Sequence, residues 1–359
     1  MSFIHEFNQE KANQFVEKLL TIVNNGAITL MLSIGHRTGL LDAFGKLENP
    51  ATSTEIAAAA GLNERYVREW LGAMVTGRIV EYNAKNSTYL LPPEHAAFLT
   101  RDASPNNIAV TSQWIPLLAG VEEQIIECFR NGGGVPYSAY GRFHEVMAEE
   151  SDQTTRSALV DTILPVVPGL VEKLKNGIDV MEIGCGKGRA LVLMAKAFPN
   201  SRFTGYDFSE QAIAEARREA AESGATNLRF EIKDAAMLNE SERYDLVLAF
   251  DAIHDQAKPA AVLQNLSAAL KNDGTFLMQD IAGSSQVEKN IGLPVSTLSY
   301  TISCMHCMTV SLSCGGEGLG AMWGEEKARQ MLKDAGFKKT EIHRLPHDIL
   351  NYYYINRKN

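Results

Sequence analysis

Apolar positions between residues 9 and 45 recur at helical spacing. They run through Phe15, Leu19, Leu20, Ile22 and Val23, then Ile28, Leu30, Met31, Ile34, Leu40 and Leu41, and predict helices with an unusually broad apolar face. Such a face needs cover from another subunit or from the rest of the chain. In the next stretch, Thr52 or Ser53 is placed to cap a short helix through Ala60, with a turn at 61–63. A second helix over 64–75 turns Val67, Leu71 and Val75 inward, and 78–81 with 87–91 form a hairpin around 83–86. Helix, short turn, helix, hairpin is the pattern of a winged helix. Helices are predicted at 106–126 and 153–171, separated by NGGGVPYSAYGRF, whose Gly132, Gly133, Gly134 and Pro136 predict a loop.

From residue 178 the pattern changes. Short apolar runs at 179–183, 203–206, 228–232, 244–250 and 275–279 alternate with helical patterns at 189–197, 209–222 and 259–270. A helix over 325–335 and strands at 339–344 and 351–356 complete the series. This alternation predicts a parallel sheet with helices on both faces. The stretch 281–324 is too long for a plain crossover and is read as a helical insertion acting as a lid over the strand ends. Domain boundaries are expected at 1–99 (helices and winged helix), 100–176 (helical connection) and 177–359 (alternating domain with its lid).

With 359 residues, 45% hydrophobic and 21% charged, the chain is long enough for two compact domains. The net charge of -9 opposes a nucleic-acid partner. On the second winged-helix segment Glu64, Arg65, Arg68 and Glu69 cancel, and the hairpin offers Lys85 against Glu81. Five cysteines without framework spacing read as free thiols of a reducing compartment. The opening MSFIHEFNQEKANQ lacks a basic region followed by an apolar core, and the most apolar stretch, 27–41, is broken by Ser33, His36, Arg37 and Thr38. The expectation is a cytoplasmic protein without a membrane span, dimeric through its apolar N-terminal helices.

The candidate chemistry centres on DVMEIGCGKGRALVLMAKAFPNSRFTGYD, residues 179–207. A strand, a turn with Gly184, Gly186 and Gly188, a helix, a second strand and a closing acid, Asp207, make the half-unit that grips an adenosine cofactor. The glycine spacing is G-x-G-x-G rather than the dinucleotide G-x-G-x-x-G/A, and Arg189 stands where that fingerprint wants a small residue. No phosphate-cradling G-x-x-x-x-G-K-[ST] occurs. Glu182 puts a carboxylate beside the turn, poorly matched to pyrophosphate and well matched to a cation. Spacing and charge fit S-adenosylmethionine, a sulfonium with an ammonium group and no phosphate.

The E-I-G-C-G-x-G turn, the acid ending the second strand and the Asp234–Ala235 pair after the third resemble the class I S-adenosylmethionine-dependent methyltransferases. The whole layout resembles bacterial small-molecule methyltransferases and the O-methyltransferases of secondary metabolism. The segments DAIHDQAKPAAVLQNLSAALKNDGTFLMQD and HCMTVSLSCGGEGLGAMWG are most similar to a subgroup with an N-terminal winged helix. The fold this implies is α/β: a Rossmann-like methyltransferase domain with a helical lid, preceded by a helical and winged-helix domain. It implies contacts to the cofactor from Glu182 at the methionine amino end, from the backbone of Gly184, Cys185, Gly186 and Gly188, and from Asp207 at the ribose diol. It further implies Phe208 against the adenine, Asp234 and the Ala235 N–H at its edge, and Phe250 facing the methyl.

Methyl transfer is an in-line displacement needing a nucleophile about 3 Å from the methyl, and sometimes a base. In the similar O-methyltransferases a His-Asp pair supplies it, and His254–Asp255 matches that pair. The family's following Trp is here Gln256, which leaves His254 either a base or a group that starts a helix or orients the substrate. Asp280 either orients His254 or caps the segment after it. Tyr137, Tyr140 and Phe143 cover a pocket or pack a junction, and Tyr300, Cys304, His306 and Cys307 of the lid are substrate-pocket or core residues. Cys304 and Cys307 have a metal-pair spacing, but no convincing second pair accompanies them, so no metal is expected. The leading reading is a methyltransferase acting on a small molecule. A winged-helix regulator sensing the cofactor is the alternative, with a NAD-dependent oxidoreductase behind it.

Overall fold

A computed structural model describes residues 7–359. The first six residues, part of the stretch expected to carry no leader, lie outside the described residues. The chain divides into two compact units, Met1–Pro116 and Leu117–Asn359.

The first unit opens with α1, Gln9–Arg37, started by Asn8, whose side chain accepts from the Lys11 N–H. Its first half exposes Phe15, Val16, Leu19, Leu20, Ile22 and Val23. With a mean hydropathy of 1.3 over an 18-residue window, α1 is long and apolar enough to cross a membrane by length and composition. Its second half joins a core with α2 (Leu40–Gly45), α3 (Ser53–Ala60) and α4 (Glu64–Thr76), built on Leu41, Phe44, Ile56, Trp70, Leu71 and Met74. The Trp70 indole N–H donates to the Met31 carbonyl at 2.8 Å. Thr52 and Glu55 form a reciprocal capping box that starts α3. β1 (Glu81–Asn83) and β2 (Thr88–Leu90) pair as the antiparallel wing. On α4, Arg65 pairs with Glu69 and Arg68 with Glu64 one turn away, so its cations are compensated within the helix.

The second unit is built on seven strands: β3 (Asp179–Ile183), β4 (Arg202–Asp207), β5 (Leu228–Ile232), β6 (Tyr244–Phe250), β7 (Leu270–Ile281), β8 (Lys339–Leu345) and β9 (Asp348–Arg357). They lie in the order β5-β4-β3-β6-β7-β9-β8. Neighbours from β5 to β7 are parallel, as the strand–helix alternation requires. β9 is antiparallel to both β7 and β8. The link between β8 and β9 is a tight turn, and only an antiparallel pair can be joined so closely. Side chains alternate between two cores: Met181, Ile183, Val247, Ala249, Phe276 and Met278 on one face, Val180, Leu246, Leu248, Leu277, Tyr353 and Ile355 on the other.

The predicted helices at 106–126 and 153–171 are broken up. The first becomes a 3-10 turn followed by Trp114–Ala119 and Glu122–Asn131. The second becomes two π turns, Asp152–Arg156 and Leu159–Ile163, then a 3-10 turn ahead of Leu170–Asn176. Pro165 and Pro168 remove the backbone donors a continuous helix needs there. The 281–324 stretch is helical in pieces: Ser296–Ile302, a π turn Ser303–Cys307, and Met308–Ser313. Against it lies the GGG loop, where a Cβ on Gly134 would sit 2.1 Å from the Thr309 carbonyl oxygen. All five cysteines are free thiols.

Candidate functional site

The carboxyl end of β3 breaks into a turn in which Gly184, Gly186 and Gly188 all take left-handed φ, at 61°, 51° and 71°. Gly188 has a second reason to be glycine, because a Cβ there would lie 2.2 Å from the Phe230 ring. Gly186 has open space before it, which is where a ligand can approach the backbone. Asp207, ending β4 and nearly buried, accepts the Gly186 N–H on Oδ2 and the Ser209 N–H on Oδ1, both at 2.9 Å. These bonds lock the turn to the acid and leave each carboxylate oxygen a further lone pair.

Glu182 is buried, and its Oε2 has no hydrogen-bond partner. Burial, aided by the charge of Asp207, pushes its carboxyl up to about 8. An orphaned buried carboxylate beside a glycine turn suits a cationic group. The two basic side chains nearest the turn are already neutralised: Lys187 pairs with Glu215 at 2.7 Å, and Arg189 with Asp152 and Glu219. Neither is free to meet a phosphate. The residues present fit a cofactor with an ammonium or sulfonium group and a ribose.

One cavity opens above this turn. Its wall takes Glu182, Gly184, Cys185, Gly186, Gly188, Asp207, Phe208 and Phe250 from the expected cofactor set, Tyr137 and Phe143 from the expected substrate set, and Asp255. The wall does not include Asp234 or Ala235. Asp234 is exposed and accepts the Ala236 N–H at 2.8 Å, starting a 3-10 turn. Tyr140, Tyr300, Cys304, His306, Cys307, His254 and Asp280 also stand outside the wall. Tyr140 and His306 form its backing. The Tyr140 hydroxyl donates to the Met305 carbonyl, and Phe143 stacks on the His306 ring at 4.2 Å. Tyr300 accepts from Asn290 away from the cavity.

Behind the wall runs a buried polar chain. The Tyr137 hydroxyl donates to Asp255 Oδ2 at 2.8 Å, and Asp255 Oδ1 lies 3.2 Å from His254 Nε2. His254 Nδ1 meets Asp280 Oδ1 at 2.7 Å, and Asp280 Oδ1 also accepts the Trp323 indole N–H at 2.9 Å. Asp280 therefore orients His254, and Trp323 anchors the far end of the insertion through that carboxylate. Burial disfavours charge on the imidazole, but Asp280 and then Asp255 outweigh it and hold the His254 pKa well above its usual range. Burial likewise opposes charge on Asp255, yet His254 and Tyr137 keep it below the usual carboxylate range.

Sequence reasoning missed Asp251, His144 and Met147, which also line the cavity. Asp251 follows β6 with φ 49°, a strained backbone for a residue with a side chain. It is held there by Gln279, whose amide donates to Asp251 Oδ2 at 3.1 Å while its own Oε1 accepts from Thr155. An acid directly after an apolar strand was the only available signal.

Residues 26–101 match the Rv2258c-like winged HTH domain, and residues 174–336 match the family described as Methyltransferase domain. Among curated relatives, the malonyl-acyl-carrier protein O-methyltransferase of Bacillus cereus is 27% identical over 147 residues, 41% of this chain and 49% of that protein. A ubiquinone biosynthesis O-methyltransferase of Actinobacillus pleuropneumoniae is 26% identical over 148 residues, 39% of this chain and 62% of its own length. The (S)-coclaurine N-methyltransferase of Papaver somniferum is 25% identical over 109 residues, 30% of this chain and 31% of that protein. The chain thus spans between 31% and 62% of these relatives' lengths. Solved structures match nearly end to end. Mitomycin 7-O-methyltransferase aligns with TM-score 0.72 at 16% identity, covering 98% of this chain and 100% of that one. Human N-acetylserotonin methyltransferase aligns with TM-score 0.71 at 15% identity, covering 100% of both. At such identity the likeness speaks for the fold. Residues 174–336 therefore form a class I S-adenosylmethionine-dependent methyltransferase domain, joined to a winged-helix domain at 26–101.

Proposed function

We propose that this chain transfers a methyl group from S-adenosylmethionine to a small-molecule acceptor. The observation that carries the reading is the orphaned, buried Glu182 carboxylate beside a glycine turn locked to Asp207, with both neighbouring cations already paired. When bound, the cofactor supplies an electrophilic methyl on a sulfonium. Glu182 then holds its amino end, and Asp207 accepts the ribose hydroxyls with the lone pairs its backbone bonds leave free. Phe208, half-exposed on the wall, lies against the adenine; Asp234 and Ala235, outside the wall, receive no role. Tyr137, Phe143, His144 and Met147 roof the cavity and exclude water, which favours a small acceptor over a polymer. Asp255 faces the acceptor, with His254 and Asp280 behind it to manage the acceptor's proton. The names of the relatives, which include O-methyltransferases of small metabolites, support this reading. Transfer of labelled methyl to small hydroxylated or thiol compounds is the test. Transfer only to protein or RNA would overturn the small-molecule reading.

The buried Glu182 makes cofactor binding pH-dependent. Its carboxyl is raised to about 8, so below that pH a bound cation draws it into the ionised form and releases a proton. Affinity should rise with pH up to about 8, by at most tenfold per unit, and then level. The ligand's own amino group titrates equally in Glu182→Gln, so wild type minus variant isolates the effect. Calorimetry in buffers of different ionisation enthalpy measures the released proton. No difference between the two proteins would sink the assignment of Glu182.

The exposed apolar half of α1 supports a homodimer, two copies covering one another's Leu19, Leu20 and Val23. Sedimentation equilibrium should give twice the chain mass, and Leu20→Glu with Val23→Glu should give the monomer. A wild-type monomer, or one that partitions into lipid vesicles, would contradict the dimer. The winged helix reads as structural, because the cations of α4 are paired within it.

A further inference from the structure

After β6 the chain makes an irregular loop over residues 251–256, and its two ends carry polar side chains that the cofactor reading leaves unused. Asp251 and Gln256 both stand on the cavity wall. The Gln256 side chain folds back along the loop, where its amide donates to the Ala252 carbonyl at 2.8 Å. That bond fixes the amide and leaves Oε1 to accept from a ligand. Ala252 in turn abuts the glycine turn, since a Cβ on Gly184 would lie 2.5 Å from that of Ala252. The loop borders the cofactor site directly.

Asp251 is held in place from two sides. Its φ of 49° is one that Asp and Asn tolerate better than most side chains do. Its backbone N–H donates to the Gln279 carbonyl at 3.0 Å, and the Gln279 amide donates to its Oδ2 at 3.1 Å. Gln279 is fully buried and accepts from the Thr155 hydroxyl at 2.8 Å. Asp251 Oδ1 is shielded from water and has no hydrogen-bond partner. An acceptor fixed on one side and unmet on the other calls for a donor.

The surrounding wall has none to spare. Lys187 is compensated by Glu215, Arg189 by Asp152 and Glu219, and the Tyr137 hydroxyl is given to Asp255. Behind the wall, His254 is already shared between Asp280 and Asp255. Burial keeps His144 below its usual range, so it adds no positive charge. What remains is a surface of hydrogen-bond acceptors and carboxylates. The rings of Tyr137 and Phe143, with centroids 5.4 Å apart, complete it. Carboxylates beside aromatic faces suit an organic cation.

Resting on the methyl-transfer reading, we infer that the acceptor carries a protonated amine, held by hydrogen bonds to Asp251 Oδ1 and Gln256 Oε1. The amine is the anchor, and the acceptor's O–H or S–H group faces Asp255. Burial and then Asp280 push the Asp251 carboxyl well above its usual range, with His254 opposing them in part. An ammonium brought against Oδ1 favours the ionised form, and the carboxyl's proton leaves to water.

The test uses probes that match except for the charge of one group. Tyramine, tyrosol and para-hydroxyphenylacetate form one triad; cysteamine, mercaptoethanol and thioglycolate form the other. Each is titrated calorimetrically into the full-length protein, both alone and saturated with S-adenosylhomocysteine. In at least one triad the amine should bind about tenfold or more tighter than the alcohol, with the carboxylate weakest. Asp251→Asn keeps an oxygen for the Gln279 amide but turns an NH2 toward the ligand, so the amine preference should vanish. Gln256→Leu should reduce it several-fold. Both variants should bind S-adenosylhomocysteine within a few-fold of wild type, and thermal melts check their folding. Equal affinity for amine and alcohol in both triads, or a preference that survives in folded Asp251→Asn, overturns the inference. Lost S-adenosylhomocysteine affinity in folded Asp251→Asn also overturns it, by assigning the carboxyl to the cofactor. If Asp251→Asn does not fold, the wild-type ranking and Gln256→Leu decide. Wild type that fails to bind S-adenosylhomocysteine sinks the methyl-transfer reading instead, while the probes titrated into the protein alone still score the amine site.

Discussion

Replacing His254 by Ala should lower turnover by about 10²–10⁴-fold while leaving the affinity for S-adenosylhomocysteine within a few-fold of wild type. The split follows from position. His254 is buried behind the cavity wall, bonded to Asp280 on one side and facing Asp255 on the other. Neither of these partners is among the groups assigned to the cofactor. Single-turnover kinetics alongside calorimetry would separate the two effects, and Asp280→Asn should fall in the same direction through loss of the imidazole's orientation. Near-wild-type turnover in His254→Ala would remove the polar chain from the mechanism altogether. A parallel loss of cofactor affinity would mean that His254 supports the fold of the site rather than its chemistry.

The second large effect is expected at Asp207. Charged hydrogen bonds contribute about 1.5–3 kcal/mol each, so losing two to the ribose diol in Asp207→Ala should weaken cofactor binding by about 10²-fold or more. The carboxylate also holds the Gly186 and Ser209 amides. Asp207→Asn keeps one accepting oxygen but sets an amide NH2 against the second backbone N–H, so it should lose affinity and also lower the thermal midpoint. An unchanged dissociation constant in both variants would remove the ribose assignment.

The part of the cavity wall around the glycine turn was legible in the sequence because its determinants are local. A glycine turn between a strand and a helix, Glu182 and Asp207 lie within thirty residues, and strand periodicity fixes their place at one sheet edge. The strand at 228–232 and the helix pair of the winged domain stood close to their predicted limits for the same reason. Two kinds of feature were hidden. Backbone irregularity has no periodic signature, so the π turns at 152–156, 159–163 and 303–307 read as ordinary helix. Contacts across long sequence separations have none either. Nothing in the spacing of Cys304 and Cys307 announces that the latter meets His254 and Asp255, or that Trp323 bonds Asp280. Asp234, where the resemblance expects a cofactor contact, stands outside the cavity wall with its Oδ1 accepting the Ala236 amide.

The central claim, that the turn from Gly184 to Gly188 with Glu182 and Asp207 binds S-adenosylmethionine rather than a dinucleotide, is tested most directly by one calorimetric comparison. Wild-type protein is titrated with S-adenosylhomocysteine and, separately, with NAD, and Asp207→Asn is titrated with the better ligand. The account predicts saturable binding of S-adenosylhomocysteine, no measurable heat with NAD, and clear weakening in the variant. Binding of NAD with S-adenosylhomocysteine inert, or equal affinity in wild type and variant, would contradict it.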